Sequence, residues 1–491
     1  MVPDNERLPV VVASAQVVQR DDIVDAQEML RRAGSAALAD AAALRAVVDR
    51  VSVVNVLSGI GLAPARTLAA QLGLNPARTE ATAIGGNTPQ WLVHRAADDV
   101  ASGAARAVLI AGAEAQHSER MQRQAGTGDP PGAGSSVDPD PVVGDQRPGV
   151  GPAETGARLF APVHVYPLFE SVLAHRAGRG PAEQRAFLGQ VMAPFTEVAA
   201  AHPTAWFRQA RSADELSTVA PDNRLIAEPY TKRLCAIMAV DQAAAVIVTS
   251  LGEARRAGLA DRAVFCWSGA DANDVWFPSA RPDPGRSPAI AAAGRAALGA
   301  AGATIDDIDL VDLYSCFPSA VQLAAEALGL ALDDRRGLTV TGGLPYFGGP
   351  GNNYTLHAIA TATDRLRAGG GTALVTGLGW YATKHAVGIY GAAPPPRGWQ
   401  HADTTVDQQA IDASAVEAVL HAEGPATVVA STVVAGPDGS PVAAPVIARL
   451  ADGRHITATA DDKDLAFLRG RSLVGSTVDV TGKPPTYRVT G

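Results

Sequence analysis

The sequence predicts an α/β protein of two related halves, with an inserted segment between them and a small β-barrel at the carboxyl end. Three observations lead to this prediction. Apolar strand-like runs alternate with helical patterns along residues 8–112, the same order of elements returns after residue 262, and short strands rich in Val and Thr follow residue 425. A chain of 491 residues is also too long for one ordinary core.

The first half is expected to have strands at 8–15, 51–57, 81–84 and 107–112, and helices at 25–50, 64–73 and 89–102. In the second half the pattern predicts strands at 264–267, 308–313, 338–341, 372–378 and 386–390, with helices at 287–301, 320–330 and 353–366. Alternation of strands and helices favours a mostly parallel sheet covered by helices. The two halves resemble each other in element order rather than in residue identity.

Residues between the halves are crowded first with Gly, Pro and Asp and then with helical patterns, which is typical of an insertion over one face of a sheet. We predict six segments: a first half at 1–118, an inserted lid at 119–235, a return to the first half at 236–262, a second half at 263–400, a linker at 401–424, and a β-rich domain similar to an oligonucleotide-binding (OB) barrel at 425–491.

The predicted barrel has strands at 426–435, 444–450, 454–460, 476–481 and 486–490, separated by turns. Barrels of this size often bind oligonucleotides, but this one lacks an aromatic row and a dense basic groove. Docking to a protein or covering of a substrate channel is therefore favoured over nucleic-acid binding.

Composition narrows the function further. A net charge of −9 without any basic run argues against binding to nucleic acid or anionic membranes. Cys235, Cys266 and Cys316 have no metal-ligand spacing and form no disulfide framework, so we expect no metal and a reducing compartment. The acidic amino terminus and the lack of a long apolar segment predict a cytoplasmic protein without a membrane span.

The most informative motif is the run Tyr314-Ser315-Cys316-Phe317, which ends an apolar strand and precedes a helix that begins near Pro318. Free N–H groups at a helix start favour negative charge, so Cys316 would gain thiolate character and Tyr314 would lie at a strand-end crevice. The alternative is that Cys316 is a small buried apolar residue.

Five stretches in this order resemble thiolases of the sterol carrier protein type, within the thiolase superfamily. They are residues 96–115, 236–251, 314–317, 342–350 and 376–390, and the resemblance extends over 8–392. It implies duplicated halves layered as α-β-α-β-α, an inserted lid, an acyltransferase acting on acyl-coenzyme A, and a homodimer formed through the sheet of the first half.

The residues that carry thiolase chemistry are replaced, however. The nucleophilic cysteine falls on Gly86, the histidine of Gly-His-Pro on Gly349, and the Cys-x-Gly motif on 377–379, while Tyr314 stands for the first histidine of His-Asp-Cys-Phe. Because acyl transfer needs the nucleophile and its activating base, ordinary thiolysis or Claisen condensation is not expected. The polar residues that remain as catalytic candidates are Tyr314, Cys316, Asn352, Tyr381 and His385.

Three hypotheses follow. In the first, the chain is an enzyme acting on acyl-CoA, an acyltransferase by family or one altered to retro-aldol or other carbon–carbon chemistry. In the retro-aldol case Tyr314, with a lowered pKa, serves as acid and base on a β-hydroxyacyl-CoA, while backbone N–H groups or Asn352 hold the enolate oxygen. In the second, the chain binds acyl-CoA or a lipid without catalysis. In the third, the terminal barrel docks a protein partner. Lys232 and Arg233 could contact coenzyme A phosphates, although a solvated loop pair explains them equally well.

Overall fold

A computed structural model describes residues 5–126 and 138–489. The first half alternates strands and helices, as expected. Its elements are β1 (Pro9–Val18), α1 (Ala26–Asp40), β2 (Val48–Val53), α2 (Pro64–Gln71), β3 (Arg78–Thr82), α3 (Thr88–Ser102) and β4 (Ala107–Ala115).

The insertion follows β4 and contains mainly helices. It comprises α4 (Gln116–Ala125), β5 (Val142–Val143), α5 (Pro152–Gly156), α6 (Pro162–Arg176), α7 (Pro181–Ala201), α8 (Ala213–Ser217), β6 (Leu225–Ala227) and β7 (Tyr230–Thr231). The chain then returns to the first half through β8 (Asp241–Ser250) and α9 (Leu251–Arg256).

The second half repeats the helix and strand order of the first. Its elements are β9 (Val264–Asn273), α10 (Pro288–Ala301), β10 (Leu310–Asp312), α11 (Pro318–Leu328), α12 (Tyr354–Gly369), β11 (Thr372–Gly379) and β12 (Lys384–Gly391). Helices α3 and α12 contact each other and strands of both halves, so they form a central layer. With α1 and α2 on one outer face and α10 and α11 on the other, the five expected layers are confirmed.

The prediction of a mostly parallel sheet is wrong. Strand order is β10-β11-β12-β9-β1-β8-β4-β2-β3-β5, and β8 lies antiparallel between β1 and β4. The two halves join where β1 pairs with β9 over Val10 and Val11. The expected strand at 338–341 is also absent, because the Asp312 carboxylate accepts hydrogen bonds from the Val340 N–H and the Thr339 hydroxyl instead.

Strand β5 of the insertion covers the outer edge of β3. The Ala81 N–H donates to the Pro141 carbonyl at 3.0 Å, and the Ala83 N–H donates to the Val143 carbonyl at 2.8 Å. These backbone groups of the β3 edge are therefore already paired, and an unpaired edge is what a second chain would need to extend the sheet.

The linker contains β13 (Gln400–His401), α13 (Thr405–Ala413) and β14 (Ala418–Val419). The barrel domain contains β15 (Gly424–Ser431), β16 (Val434–Ala435), β17 (Pro441–Ala443), β18 (Pro445–Leu450), β19 (His455–Ala460), α14 (Leu465–Leu468), β20 (Thr477–Thr481) and β21 (Thr486–Val489). Strands β15, β18, β19, β21 and β20 pair around a complete circuit, so the predicted five-stranded barrel is confirmed and closed.

The barrel docks on its own chain. Strand β16 pairs with β6 of the insertion, and the Thr432 hydroxyl donates to the Glu228 carbonyl at 2.8 Å. On the second half, the His455 imidazole donates through Nδ1 to the Ser279 carbonyl at 2.9 Å. The barrel therefore fastens the insertion to the second half. Within the described residues, no helix combines the length and apolar character needed to cross a membrane.

We expect the chain to be monomeric, because β5 covers the sheet edge that the thiolase resemblance assigns to dimer formation. Val143→Pro removes an N–H group of β5 and disfavours its pairing, so it should increase self-association, measured as mass by light scattering during gel filtration. Val406→Pro is the control, since Val406 is exposed in the first turn of α13, where proline is tolerated. A dimeric wild-type chain would contradict this expectation.

Candidate functional site

The loop between β3 and α3 carries Gly86, the position that the thiolase resemblance assigns to the nucleophile. Neighbouring side chains hold this loop on both sides. The Asn352 amide oxygen accepts a hydrogen bond from the Gly85 N–H at 2.9 Å, and the Thr355 hydroxyl donates to the Gly86 carbonyl at 2.7 Å. The start of α12 thereby fixes the loop that precedes α3.

Tyr314 fills the space beside Gly86. A Cβ atom added to Gly86 would overlap the Tyr314 hydroxyl, and it would lie 2.8 Å from Tyr314 Cζ and 2.6 Å from the Leu378 carbonyl oxygen. Real Cβ atoms essentially never approach other atoms so closely. The phenol therefore occupies the place in which a nucleophilic side chain would have to stand.

The facing strand β11 closes the site from the other side. A Cβ atom at Gly377 would lie 2.9 Å from Asn87 Cα, and one at Gly379 would lie 2.5 Å from Asn87 Oδ1. Gly349 is also tightly packed, since a Cβ atom there would lie 3.2 Å from the Ile237 carbonyl oxygen. A cavity beside Tyr314 and Gly377 measures only about 10 Å³, which is too small for a substrate.

Tyr314 is 6% exposed, and its ring packs edge to face against the Tyr354 ring, with 5.4 Å between the ring centroids. Burial raises the pKa of Tyr314 well above the ordinary value for tyrosine. The retro-aldol hypothesis requires the opposite shift, because a phenol exchanges protons near neutral pH only when its pKa is lowered.

Cys316 is buried as well, and the expected thiolate character is not found. Burial raises the pKa of the Cys316 thiol to about 12, although Tyr166 and backbone N–H groups favour the thiolate. Loss of hydration thus outweighs the effect of the nearby helix start. The Phe317 ring stacks on the Tyr166 ring with 4.5 Å between the ring centroids, so this motif packs against the insertion.

The remaining predicted residues have structural partners. Besides accepting from Gly85, Asn352 donates to the Asn55 carbonyl at 3.0 Å. Tyr381 donates to the Phe160 carbonyl at 2.8 Å, and burial raises the pKa of Tyr381 to about 12. His385 lies with its Nε2 atom 3.1 Å from a carboxylate oxygen of Asp274, and both side chains are buried.

Lys232 and Arg233 lie in a short turn after β7, apart from the loop that carries Gly86. The Arg233 guanidinium donates to the Glu215 carbonyl at 3.0 Å and pairs with Asp222 at 2.5 Å. The Lys232 side chain is exposed. Neither residue lines the cavity described next.

A cavity of about 360 Å³ reaches this loop from the side of Asn87. Lys384, which the sequence interpretation did not select, lines it and is 3% exposed. Its ammonium group donates to the Ile84 carbonyl and, at 3.4 Å, to the Asp145 carbonyl. Burial lowers the pKa of Lys384 to about 8. The other lining residues are mostly polar: Asn87, Thr88, Trp91, Gly144, Asp145, Asp271, Ala272, Asn273, His385, Thr404, Thr405, Gln408 and Gln409.

Gly86→Ala should destabilise the chain by roughly 1–3 kcal/mol, because the added methyl group meets Tyr314 and Leu378 in a packed interior. Urea unfolding measures the change. Gly156→Ala is the control, since a Cβ atom there meets nothing within 4 Å. In a Tyr314→Ala background the cost of Gly86→Ala should fall; an equal cost in both backgrounds would show that Tyr314 does not fill this space.

Cys316 should resist iodoacetamide in the folded chain at pH 8, because a thiol with a pKa of about 12 is ionised in only about one molecule in ten thousand at that pH. Peptide mass spectrometry after brief labelling measures the modification. The control is the same labelling in guanidinium chloride, where Cys316 should react within minutes. Rapid labelling of Cys316 in the folded chain would contradict the buried, protonated thiol.

No family model matches the chain, and no curated protein matches it. Among solved structures, a monomeric SCP2-thiolase like protein type 1 from Mycobacterium smegmatis is 31% identical, with a TM-score of 0.84 and 99% of each chain covered. The structure of the Ltp2-ChsH2(DUF35) aldolase shares the fold at 18% identity and a TM-score of 0.59, covering 79% of this chain and 98% of that one. The layered halves, the inserted segment and the identity over nearly the whole length show that this chain belongs to the SCP2-thiolase-like proteins.

Proposed function

We propose that this chain binds an acyl-CoA or a related thioester without forming a covalent acyl intermediate. The observation that carries the proposal is the Tyr314 phenol in the space beside Gly86. The thiolase resemblance places the nucleophilic side chain of an acyl-enzyme at this position, and such a side chain does not fit.

The other groups needed for thiolysis are missing too. Gly349 and Gly377 stand where the resemblance expects a histidine and a second cysteine. Without a base, a hydroxyl or thiol elsewhere would have to attack unaided, which is slow at neutral pH. Cys316 does not replace the nucleophile, since its thiol is buried and protonated.

The aldolase hypothesis receives less support. It assigns proton transfer to Tyr314, whose pKa is raised by burial, and enolate binding to Asn352, whose amide already bonds Gly85 and Asn55. The aldolase among the similar structures is only 18% identical, so it supports the fold alone. Its aldolase activity is therefore not assigned to this chain.

The cavity lined by Lys384 is where we place the ligand. Its volume of about 360 Å³ lies in the range of small-molecule sites and suits the acyl end of a thioester rather than a whole coenzyme A molecule. Lys384 would donate a charge-assisted hydrogen bond to the thioester carbonyl, and Trp91 would supply an apolar wall. The nucleotide part would lie outside this cavity.

The proposal is tested by calorimetry with acetyl-CoA and longer acyl-CoAs, followed by intact mass measurement of the same samples. We expect heat of binding and an unchanged protein mass. Lys384→Met should weaken binding about tenfold or more, because it removes a hydrogen bond from a charged donor. Lys463→Met is the control, since Lys463 is exposed on the barrel.

Other outcomes would replace the proposal. A covalent adduct that disappears in Cys316→Ala would establish a relocated nucleophile. Cleavage of a β-hydroxyacyl-CoA that Tyr314→Phe abolishes would establish the aldolase. Absence of both heat and adduct would remove acyl-CoA as the ligand.

A further inference from the structure

Two histidines and an aspartate from distant parts of the chain meet beside α3. His94 lies on α3, Asp271 on β9 and His401 on β13. Asp271 Oδ2 lies 3.1 Å from His94 Nδ1 and 2.9 Å from His401 Nε2. One ligand-type atom from each residue falls within 4.8 Å of the others, which is compact enough for all three to reach one metal ion.

Asp98 and Gln90 contact the ring nitrogens of His401 and His94 that face away from Asp271. Asp98 Oδ2 lies 2.7 Å from His401 Nδ1, and Trp399 donates to the other Asp98 oxygen at 2.8 Å. A carboxylate on the far nitrogen of a histidine is the arrangement that orients metal-bound imidazoles. Gln90 Nε2 contacts the far nitrogen of His94 at 2.9 Å, and the Gln90 oxygen accepts from the Tyr390 hydroxyl at 2.9 Å. A half-turn of the amide, with the Tyr390 hydroxyl then accepting, would present the oxygen to His94.

The electrostatics of the cluster also favour a cation. Asp271 and Asp98 bring two carboxylates to His401. A protonated His401 balances only one of these two negative charges, whereas a divalent ion would balance both. Asp271 Oδ1 is buried and has no hydrogen-bond partner within residues 5–126 and 138–489. A buried carboxylate oxygen without a partner is costly, and a metal ion beside it would remove that cost.

We propose that His94, Asp271 and His401 bind one divalent transition-metal ion, with Zn²⁺ as the first ion to test. Two imidazoles and one carboxylate form a donor set that Zn²⁺ accepts, and three protein ligands leave one coordination position open. Asp271 also lines the 360 Å³ cavity, so the ion would lie at its wall, where water or a donor atom of a ligand completes the coordination.

The first experiment titrates the untagged, EDTA-treated full chain with Zn²⁺ in a calorimeter. We expect one ion per chain with a dissociation constant below micromolar. His401→Gln and Asp271→Asn should each weaken binding on the order of 100-fold, and Asp98→Asn by roughly 10- to 100-fold, because it acts only by orienting His401. Circular dichroism checks that each variant is folded.

A matched control is His421→Gln. His421 is an exposed histidine that contacts the Gly482 carbonyl, outside the cluster, so its loss should leave Zn²⁺ binding unchanged. Binding that depends on His421 as much as on His401 would show adventitious surface capture of the ion and overturn the proposal.

A second measurement needs no variant. X-ray absorption of the Zn²⁺-loaded wild-type chain should show two imidazole ligands and oxygen donors. No stoichiometric binding, or a bound ion with fewer than two imidazoles, overturns the proposal. In that case the cluster joins the linker to both halves through ion pairs alone. Acyl-CoA binding is measured separately with metal-free protein, so the two proposals fail or succeed independently.

Discussion

The close backbone contact between the Gly85–Asn87 turn and strand β11, with the Tyr314 phenol beside it, determines how the two halves fit together. The turn starts α3, one of the two helices of the central layer, and Thr355 at the start of the other helix holds the Gly86 carbonyl. Side chains at positions 377 and 379 would push the turn away. The layers can therefore pack at this distance only because the site positions lack side chains.

Much of the fold could be predicted because its elements are long and periodic. Most helices and strands of both halves, and the five barrel strands, followed from hydrophobic spacing and turn residues. The helix expected at 25–50 ends at Asp40, and the strand expected at 338–341 does not form. The direction of the strands could not be predicted from these patterns. Strand β8 returns after an insertion of more than a hundred residues and pairs antiparallel with both β1 and β4. Strands of two or three residues, such as β5 and β6, have no periodicity to recognise, yet they close the sheet edge and dock the barrel.

The sequence predicted where the candidate site lies better than it predicted the chemical state of the residues in it. Counting along the family motifs located Gly86 and Tyr314, but it could not show that one residue fills the space beside the other. The helix-start argument for Cys316 failed because burial outweighs it. Lys384 gave no signal beyond its proximity to His385. His94, Asp271 and His401 are separated by 177 and 130 positions, so no ligand spacing could reveal them and the sequence predicted no metal.

The phenol beside Gly86 also constrains how this sequence can change over evolutionary time. A single substitution of Gly86 by cysteine puts a side chain into occupied space, so it would destabilise the fold and be selected against. Tyr314 would have to shrink first, and that step by itself leaves a hole in the core. Gain of a nucleophilic side chain at position 86 thus requires an ordered series of individually unfavourable steps.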